Sequence, residues 1–413
     1  ETLRALAAAA GDRDLVVHAR LIEILGRDAL TARFYRALEQ AVAGIAQSSS
    51  VGGDEQRREL ALLAASRLLF LSFLEAKGWL NGDRAFLLRQ FEQCMASGGR
   101  FDRRVLRPLF FGTLNTPASK RAVAARGFGR IPFLNGGLFA RTPLERASRA
   151  VSFSDDACGA LLYDVFAQYR FTAREESIEW SEAAVDPEML CRAFESLMAS
   201  AERRRTGAFF TPFELVARVA DAGLESVLGE SASALLRGDD LSSDARSGLH
   251  TAVERLTVLD PACGSGAFLV HTLERVADFR VQLGDRRDVA AIRRDVLTRS
   301  IFGVDVNPTA VWLCELRLWL SVVIESAESD PAAVVPLPNL DRNIRVGDAL
   351  AGGAFRERDA RAPVALRHLR ERYSRATGVR KESLARLLER AARSRAIAML
   401  DAELELVRQR RRD

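Results

Sequence analysis

Apolar residues recur at helical spacing along most of this chain, and at strand spacing only in a few short runs. Phe34, Tyr35, Leu38, Val42 and Ile45 fall on one stripe, so residues 1–47 read as helical. Ser48–Gly53 is a linker or loop by composition. The run from Glu55 to Lys77 is too apolar for a surface element and predicts a core helix of the first domain. Gly98-Gly99 and Asn135-Gly136-Gly137 separate shorter elements after it. The strand-like runs come later: Leu256, Val258 and Leu259; Ile301 to Val304; and Ile344 with Val346. The first two are followed by helical runs, Phe268 to Phe279 and the stretch containing Val311, Leu313, Leu316, Leu318 and Leu320. Leu384, Leu387, Leu388 and Ala391 predict one further helix near the end.

Each strand-like run ends at an acid: Asp260, Asp305 and Asp348. The first leads into Asp260-Pro261-Ala262-Cys263-Gly264-Ser265-Gly266-Ala267-Phe268-Leu269, a glycine turn that opens a helix. A strand, a tight turn and a helix in that order make a nucleotide-sized crevice. Its glycines let a ligand approach where a Cβ would collide. Dinucleotide enzymes carry a third glycine in Gly-x-Gly-x-x-Gly, whereas the pattern here is Asp-x-x-x-Gly-x-Gly. A carboxylate at the strand end suits a cation better than pyrophosphate. S-adenosylmethionine, with its sulfonium and ammonium, therefore fits better than NAD, and an oxidoreductase ranks behind.

Three companion segments lie in sequence around that turn. Thr206-Gly207-Ala208-Phe209-Phe210-Thr211-Pro212 precedes it; Thr211 reads as an N-cap, Pro212 as the first helical residue and Glu214 as the capping-box partner. Asp305 stands where an acid after the second strand accepts ribose hydroxyls. Asn307 reads as the cap of the next helix. Asp348 is a candidate acceptor for an adenine amino group, although a Gly-Asp after a strand is also an ordinary turn.

These segments resemble the gamma-ordered DNA adenine-N6 methyltransferases, in particular the methylases of type IIG restriction–modification and related phage-defence systems. Asp186–Glu195 and Arg130–Phe139 look like the family's lead-in and N-terminal helical region, so the resemblance covers roughly residues 28–350. It implies an α/β, Rossmann-like core that binds S-adenosylmethionine and acts on DNA in the cytoplasm. Thr211 and Pro212 would flank the methionine end. Asp260, Gly264 and Gly266 would hold the amino-acid moiety, Asp305 the ribose and Asp348 the adenine, with Pro261 also at the cofactor and Phe210 and Phe268 packing on the cofactor or simply on the core. The domains expected are a helical 1–185, a partial core at 186–350 and a basic arm or insertion at 351–413. The family places an Asn-Pro-Pro-aromatic tetrapeptide after its fourth strand to hold the flipped base. No segment here has that form; Asn307-Pro308-Thr309 lacks the second proline and the ring. No catalytic residue is therefore assigned, and methyl transfer is expected to need a further portion of the methylase or a partner subunit. The chain starts at Glu1 and stops within an apparent helix, which reads as part of a longer protein. The alternative is a non-catalytic module that uses S-adenosylmethionine as a ligand within a defence assembly.

Charge refines this picture in one place. Net charge is +5, but residues 351–413 hold 17 basic and 9 acidic side chains while the rest is slightly acidic. The arm is thus a candidate contact for DNA phosphates, set against a merely solvated helix face. Only three lysines occur, so the arginine excess by itself reads as coding bias. Cysteines 94, 158, 191, 263 and 314 form no Cys-x-x-Cys pair, which points to a reducing compartment and no zinc site. The longest apolar stretch, Leu60 to Leu74, is broken by Ser66, Arg67 and Ser72, so no membrane span is expected. Glu75-Ala76-Lys77 has the look of a nuclease-motif tail but lacks a preceding partner acid on a strand.

Overall fold

The computed structural model describes residues 32–49, 52–135, 137–147, 151–171, 184–185, 211, 213–351 and 364–410. Two bodies of secondary structure follow one another. The first is helical, as its apolar stripes require. Helix α1 (32–48) buries Phe34, Leu38, Val42 and Ile45. Helix α2 (Asp54–Ala76) runs through the centre, every residue from Leu60 to Leu74 being buried. Phenylalanines fill the space around it: Phe73 meets Phe171 edge to face at 5.5 Å, and Phe70 meets Phe139 at 5.9 Å. Helix α3 (Phe86–Ala96) and wide π-helical turns at Asp102–Leu106, Pro108–Leu114 and Leu161–Phe166 complete this body. A two-residue parallel pair, β1 (Arg170–Phe171) with β2 (Ala184–Val185), lies at its end.

Arg67, buried in the middle of α2, is the one charge in that apolar run. It donates to the carbonyls of Leu138 (2.7 Å) and Ala140 (2.8 Å) and to both oxygens of Glu145 (2.6 and 3.1 Å). Burial works against ionisation of Glu145, but the guanidinium overrides it and holds the carboxyl below its usual range. The break in the apolar run is thus a fully bonded charge pair.

The second body carries the sheet. Helices α4 (Phe213–Leu228), α5 (Glu230–Arg237) and α6 (Ser243–Arg255) lead into β3 (Val258–Asp260). Then follow α7 (Ala267–Gln282), α8 (Val289–Arg299), β4 (Ile301–Asp305), α9 (Pro308–Glu325) and β5 (Ile344–Val346). The three strands are parallel in the order β3-β4-β5, with Asp260 opposite Gly303 and Asp305 opposite Val346. Ile301, Gly303 and Ile344 face α7 and α9 and are buried. On the other face Leu259 is 62% exposed. A parallel sheet is ordinarily covered on both sides, so among the described residues this one is half dressed. The fold is a largely helical chain with a small parallel α/β sheet, which bears out the predicted strands at its centre.

Helix α10 (Val364–Ser374) and helix α11 (Gly378–Arg410) end the described chain. Leu384 and Leu388 are buried, but Leu387, predicted on the same stripe, is 44% exposed. Their corner is fastened to the second body by Asn339, whose amide donates to the carbonyls of Tyr373 (2.9 Å) and Ala376 (2.8 Å). The two bodies also meet directly. Lys77 donates to the carbonyls of Ile324 (2.7 Å) and Ser326 (2.9 Å), while Glu75 accepts from the amide of Leu87 within the first body. Lys77 of the Glu75-Ala76-Lys77 triplet is therefore a joint between the two bodies. Among the described residues no helix is long and apolar enough to cross a membrane, and no cluster of metal-ligating side chains occurs.

Candidate functional site

Three acids stand at the carboxyl ends of three adjacent parallel strands, the place where open α/β sheets bind ligands. The turn that follows β3 is built to stay open there. Gly264 and Gly266 have φ of +51° and +87°, values that favour glycine. A Cβ on Gly266 would lie 2.5 Å from the Cys314 sulfur, so α9 packs directly on the turn. Gly303 is equally crowded: a Cβ there would approach Leu269 Cδ1 to 2.8 Å. The Cys263 amide donates to Val304 O (2.9 Å) and the Gly266 amide to Cys263 O (2.8 Å), which closes the turn. Arg317 of α9 donates to the Ser265 hydroxyl at 3.1 Å and to its carbonyl at 3.3 Å.

Asp260 and Asp305 both lie at this turn, near enough for the charge of Asp305 to act on Asp260. Asp260 Oδ1 accepts the Ala262 amide at 3.1 Å. Asp305 accepts two amides, Gly264 through Oδ2 (2.9 Å) and Asn307 through Oδ1 (2.8 Å). Burial pushes the Asp260 carboxyl above its ordinary value, the Ala262 amide opposes this, and the nearby Asp305 charge adds to it. Among the described residues no lysine or arginine forms an ion pair with Asp260, Asp305 or Asp348. An ionised carboxylate has about four acceptor positions, so each keeps capacity for a ligand. A cation or a pair of hydroxyls is what such a rim can take. Two like charges facing one crevice argue against a pyrophosphate there.

Several sequence expectations meet the structure at this rim. Asp260, Pro261, Gly264, Gly266 and Asp305 are brought together by the turn. Phe268 lies half-buried in the first turn of α7, and among the described residues it meets neither an aromatic ring nor a cation within ring-contact distance. Asp348 is exposed, and its Oδ1 accepts the Leu350 amide at 2.8 Å, so in this structure it also makes the ordinary turn that its sequence allowed. Asn307 caps α9, its Oδ1 accepting the amides of Thr309 (2.9 Å) and Ala310 (3.4 Å). Thr211 is half-buried just before α4, whereas Phe210 and Pro212 lie outside the described residues, as do most of the segment 206–212 and the lead-in at 186–195.

One constellation escaped the sequence reading. Asp221 of α4 accepts Arg275 at 2.9 Å through both oxygens and lies 3.0 Å from His271 Nε2. Burial opposes ionisation of Asp221, but these partners hold its carboxyl below the usual range. His271 in turn meets the ring of Phe213 edge on at 5.6 Å. The group locks α4 against α7 behind the glycine turn. Its members are fifty residues apart in sequence with no motif spacing, so only packing reveals it.

Residues 240–352 match the family model described as the MmeI DNA-methyltransferase domain. A protein of Methanocaldococcus jannaschii named as a type II restriction enzyme and methyltransferase is 27% identical over 331 residues. That match covers 72% of this chain but 28% of the relative, so the chain spans little more than a quarter of it. A solved structure of the type IIL restriction–modification enzyme MmeI in complex with DNA covers 78% of this chain and 40% of that one, at 19% identity and a TM-score of 0.48. The family match contains β3, the glycine turn, β4, α9, β5 and all three strand-end acids. Residues 240–352 are thus similar to a DNA-methyltransferase domain of restriction–modification enzymes.

Proposed function

We propose that this chain is the methyl-donor-binding part of a site-specific DNA adenine-N6 methyltransferase of a restriction–modification or related phage-defence system. The observation that carries the reading is the pair Asp260 and Asp305: two carboxylates at a glycine turn, bonded to backbone amides and to no protein cation among the described residues. S-adenosylmethionine supplies an electrophilic methyl group when bound. Asp260 with the turn at Gly264 and Gly266 would hold its charged amino-acid end, Asp305 its ribose hydroxyls and Asp348 its adenine. Pro261 and Phe268 flank that path, as would Thr211, Phe210 and Pro212 from the preceding segment. The amides that hold both acids also fix their orientation, so the chain contributes positioning and electrostatics.

The amino group of the target adenine needs an acceptor and its ring a stacking platform. No Asn-Pro-Pro-aromatic tetrapeptide stands in the 413 residues. We assign that role to a further part of the protein or to a partner chain, and expect the present chain alone to be inactive.

Titration calorimetry tests the proposal. S-adenosylmethionine is expected to bind with micromolar or tighter affinity, and Asp305→Ala to weaken that binding markedly. Binding of NAD with no heat from S-adenosylmethionine overturns it. Retained methyl-donor binding in a full-length protein that lacks any methyl transfer to duplex DNA would favour the second reading, a ligand-sensing module.

A further inference from the structure

The corner between α10 and α11 is a basic cleft. Its volume is about 390 Å³, and Glu371, Arg372, Arg375, Ala376, Thr377 and Arg380 line it. Arg372 lies in the last turn of α10, and Arg375 is the first residue after its end. Arg380 comes from the start of α11, across the chain reversal at Gly378, where φ is +54°. All three arginines are exposed, and among the described residues none forms an ion pair with a carboxylate. The acid in the cleft, Glu371, already lies 3.4 Å from Arg299 and 3.7 Å from His368. The cleft therefore presents three uncompensated guanidinium groups, from two helices and the turn between them, around one concavity.

This differs from a solvated helix face, where charges spread along one side and repel into water. Charges gathered in a concavity reinforce each other's potential. Guanidinium forks match phosphate oxygens two at a time. The support beneath is rigid: Ala376 is buried, its carbonyl accepts from Asn135 (3.3 Å) and Asn339 (2.8 Å), and the Tyr373 hydroxyl donates to Asp341 at 2.6 Å. Arg370, one turn earlier on α10, lies over the Phe302 ring of β4 at 5.7 Å, which ties the same helix to the central strand.

We infer that the α10–α11 cleft binds a backbone phosphate of duplex DNA through Arg372, Arg375 and Arg380, and so fixes the duplex in register with the methylase core. The inference rests on the DNA-methyltransferase reading above. Contacts of this kind position a duplex and read no sequence.

The test is fluorescence anisotropy with a labelled duplex of arbitrary sequence at several salt concentrations, using the 413-residue chain with Arg372, Arg375 and Arg380 all changed to alanine. Affinity is expected to fall roughly tenfold or more, and the slope of log K against log salt to decrease by about 1 to 2, since each lost phosphate contact removes about 0.9. The urea midpoint and the heat of S-adenosylmethionine binding should stay as in the unchanged chain. A control with Arg390→Ala and Arg393→Ala, further along α11, should change affinity little. Equal losses in both variants mean diffuse charge and overturn the cleft, as does an unchanged slope. If S-adenosylmethionine fails to bind while the triple variant still loses DNA, the cleft stands and the methyl-donor reading falls.

Discussion

Arg67–Glu145 in the helical body and Asp260–Asp305 at the sheet rim are both charged pairs in sheltered surroundings, yet they are built oppositely. In the first, a cation and an anion neutralise each other and every strong donor of Arg67 has an acceptor. In the second, two anions face one another, each held only by amide N–H groups. The first arrangement is complete without any ligand. The second has its geometry set but its charge uncompensated, and that difference distinguishes a strut from a binding site.

Substitutions should separate the two regions. Arg67→Ala leaves Glu145 buried without its cation and is expected to destabilise the fold by about 3–5 kcal/mol, read as a lower urea midpoint with no specific effect on ligand affinity in whatever folded protein remains. Gly266→Ala places a methyl against the Cys314 sulfur at a φ of +87°; a loss of about 1–3 kcal/mol is expected, together with weaker methyl-donor binding. Asp305→Ala should do the reverse of Arg67→Ala. Its stability change should be small, while affinity for S-adenosylmethionine falls by about 1.5–3 kcal/mol through lost bonds to a charged acceptor. Comparable stability losses in Asp305→Ala and Arg67→Ala would erase the distinction.

A smaller effect sharpens the comparison through pH. Glu315 of α9 is buried; burial, with help from Asp341 and against Lys381, pushes its carboxyl up to about 8. The folded state thus holds a proton that the unfolded chain releases near 4.5. Its stabilising contribution is full below that lower value and is lost as pH rises through about 8. Glu315→Gln should flatten this part of the profile, so that the difference in urea midpoint between variant and parent grows in the variant's favour from pH 5 to pH 9. Parallel profiles would show that Glu315 stays ionised. The smallest effect is expected at Asp348, which is exposed: Asp348→Ala should weaken methyl-donor binding less than Asp305→Ala does.

Much of the core was readable in one dimension because its signals are local. Helix α2 announces itself as a long apolar run interrupted only at Ser66, Arg67 and Ser72, Asn307 as a cap before Pro308, and each strand as a short apolar run closing on an acid. A turn with two glycines and an acid needs only ten consecutive residues to state its chemistry. The lock of Asp221 with His271 and Arg275 could not be read that way, since helices α4 and α7 are joined by packing and no spacing rule links them. Lys77 was misleading for the same reason: its partners are carbonyls near residue 325, chosen by how the two bodies dock. Leu387 was placed on the buried stripe of its helix, but the stripe is narrower than heptad spacing suggests, because only Leu384 and Leu388 meet the corner beneath.

The positions of the strands along the chain, the strand-end acids and the glycine turn were determined by the sequence itself, since backbone conformation and strand termination depend on neighbours a few residues away. Which charges are neutralised was decided by the tertiary structure alone. Arg67 finds Glu145 across 78 residues, Arg275 finds Asp221 across 54, and Asp260 and Asp305 find each other with no cation between them. Electrostatic pairing is a matter of distance in space, and the chain encodes it only after it has folded.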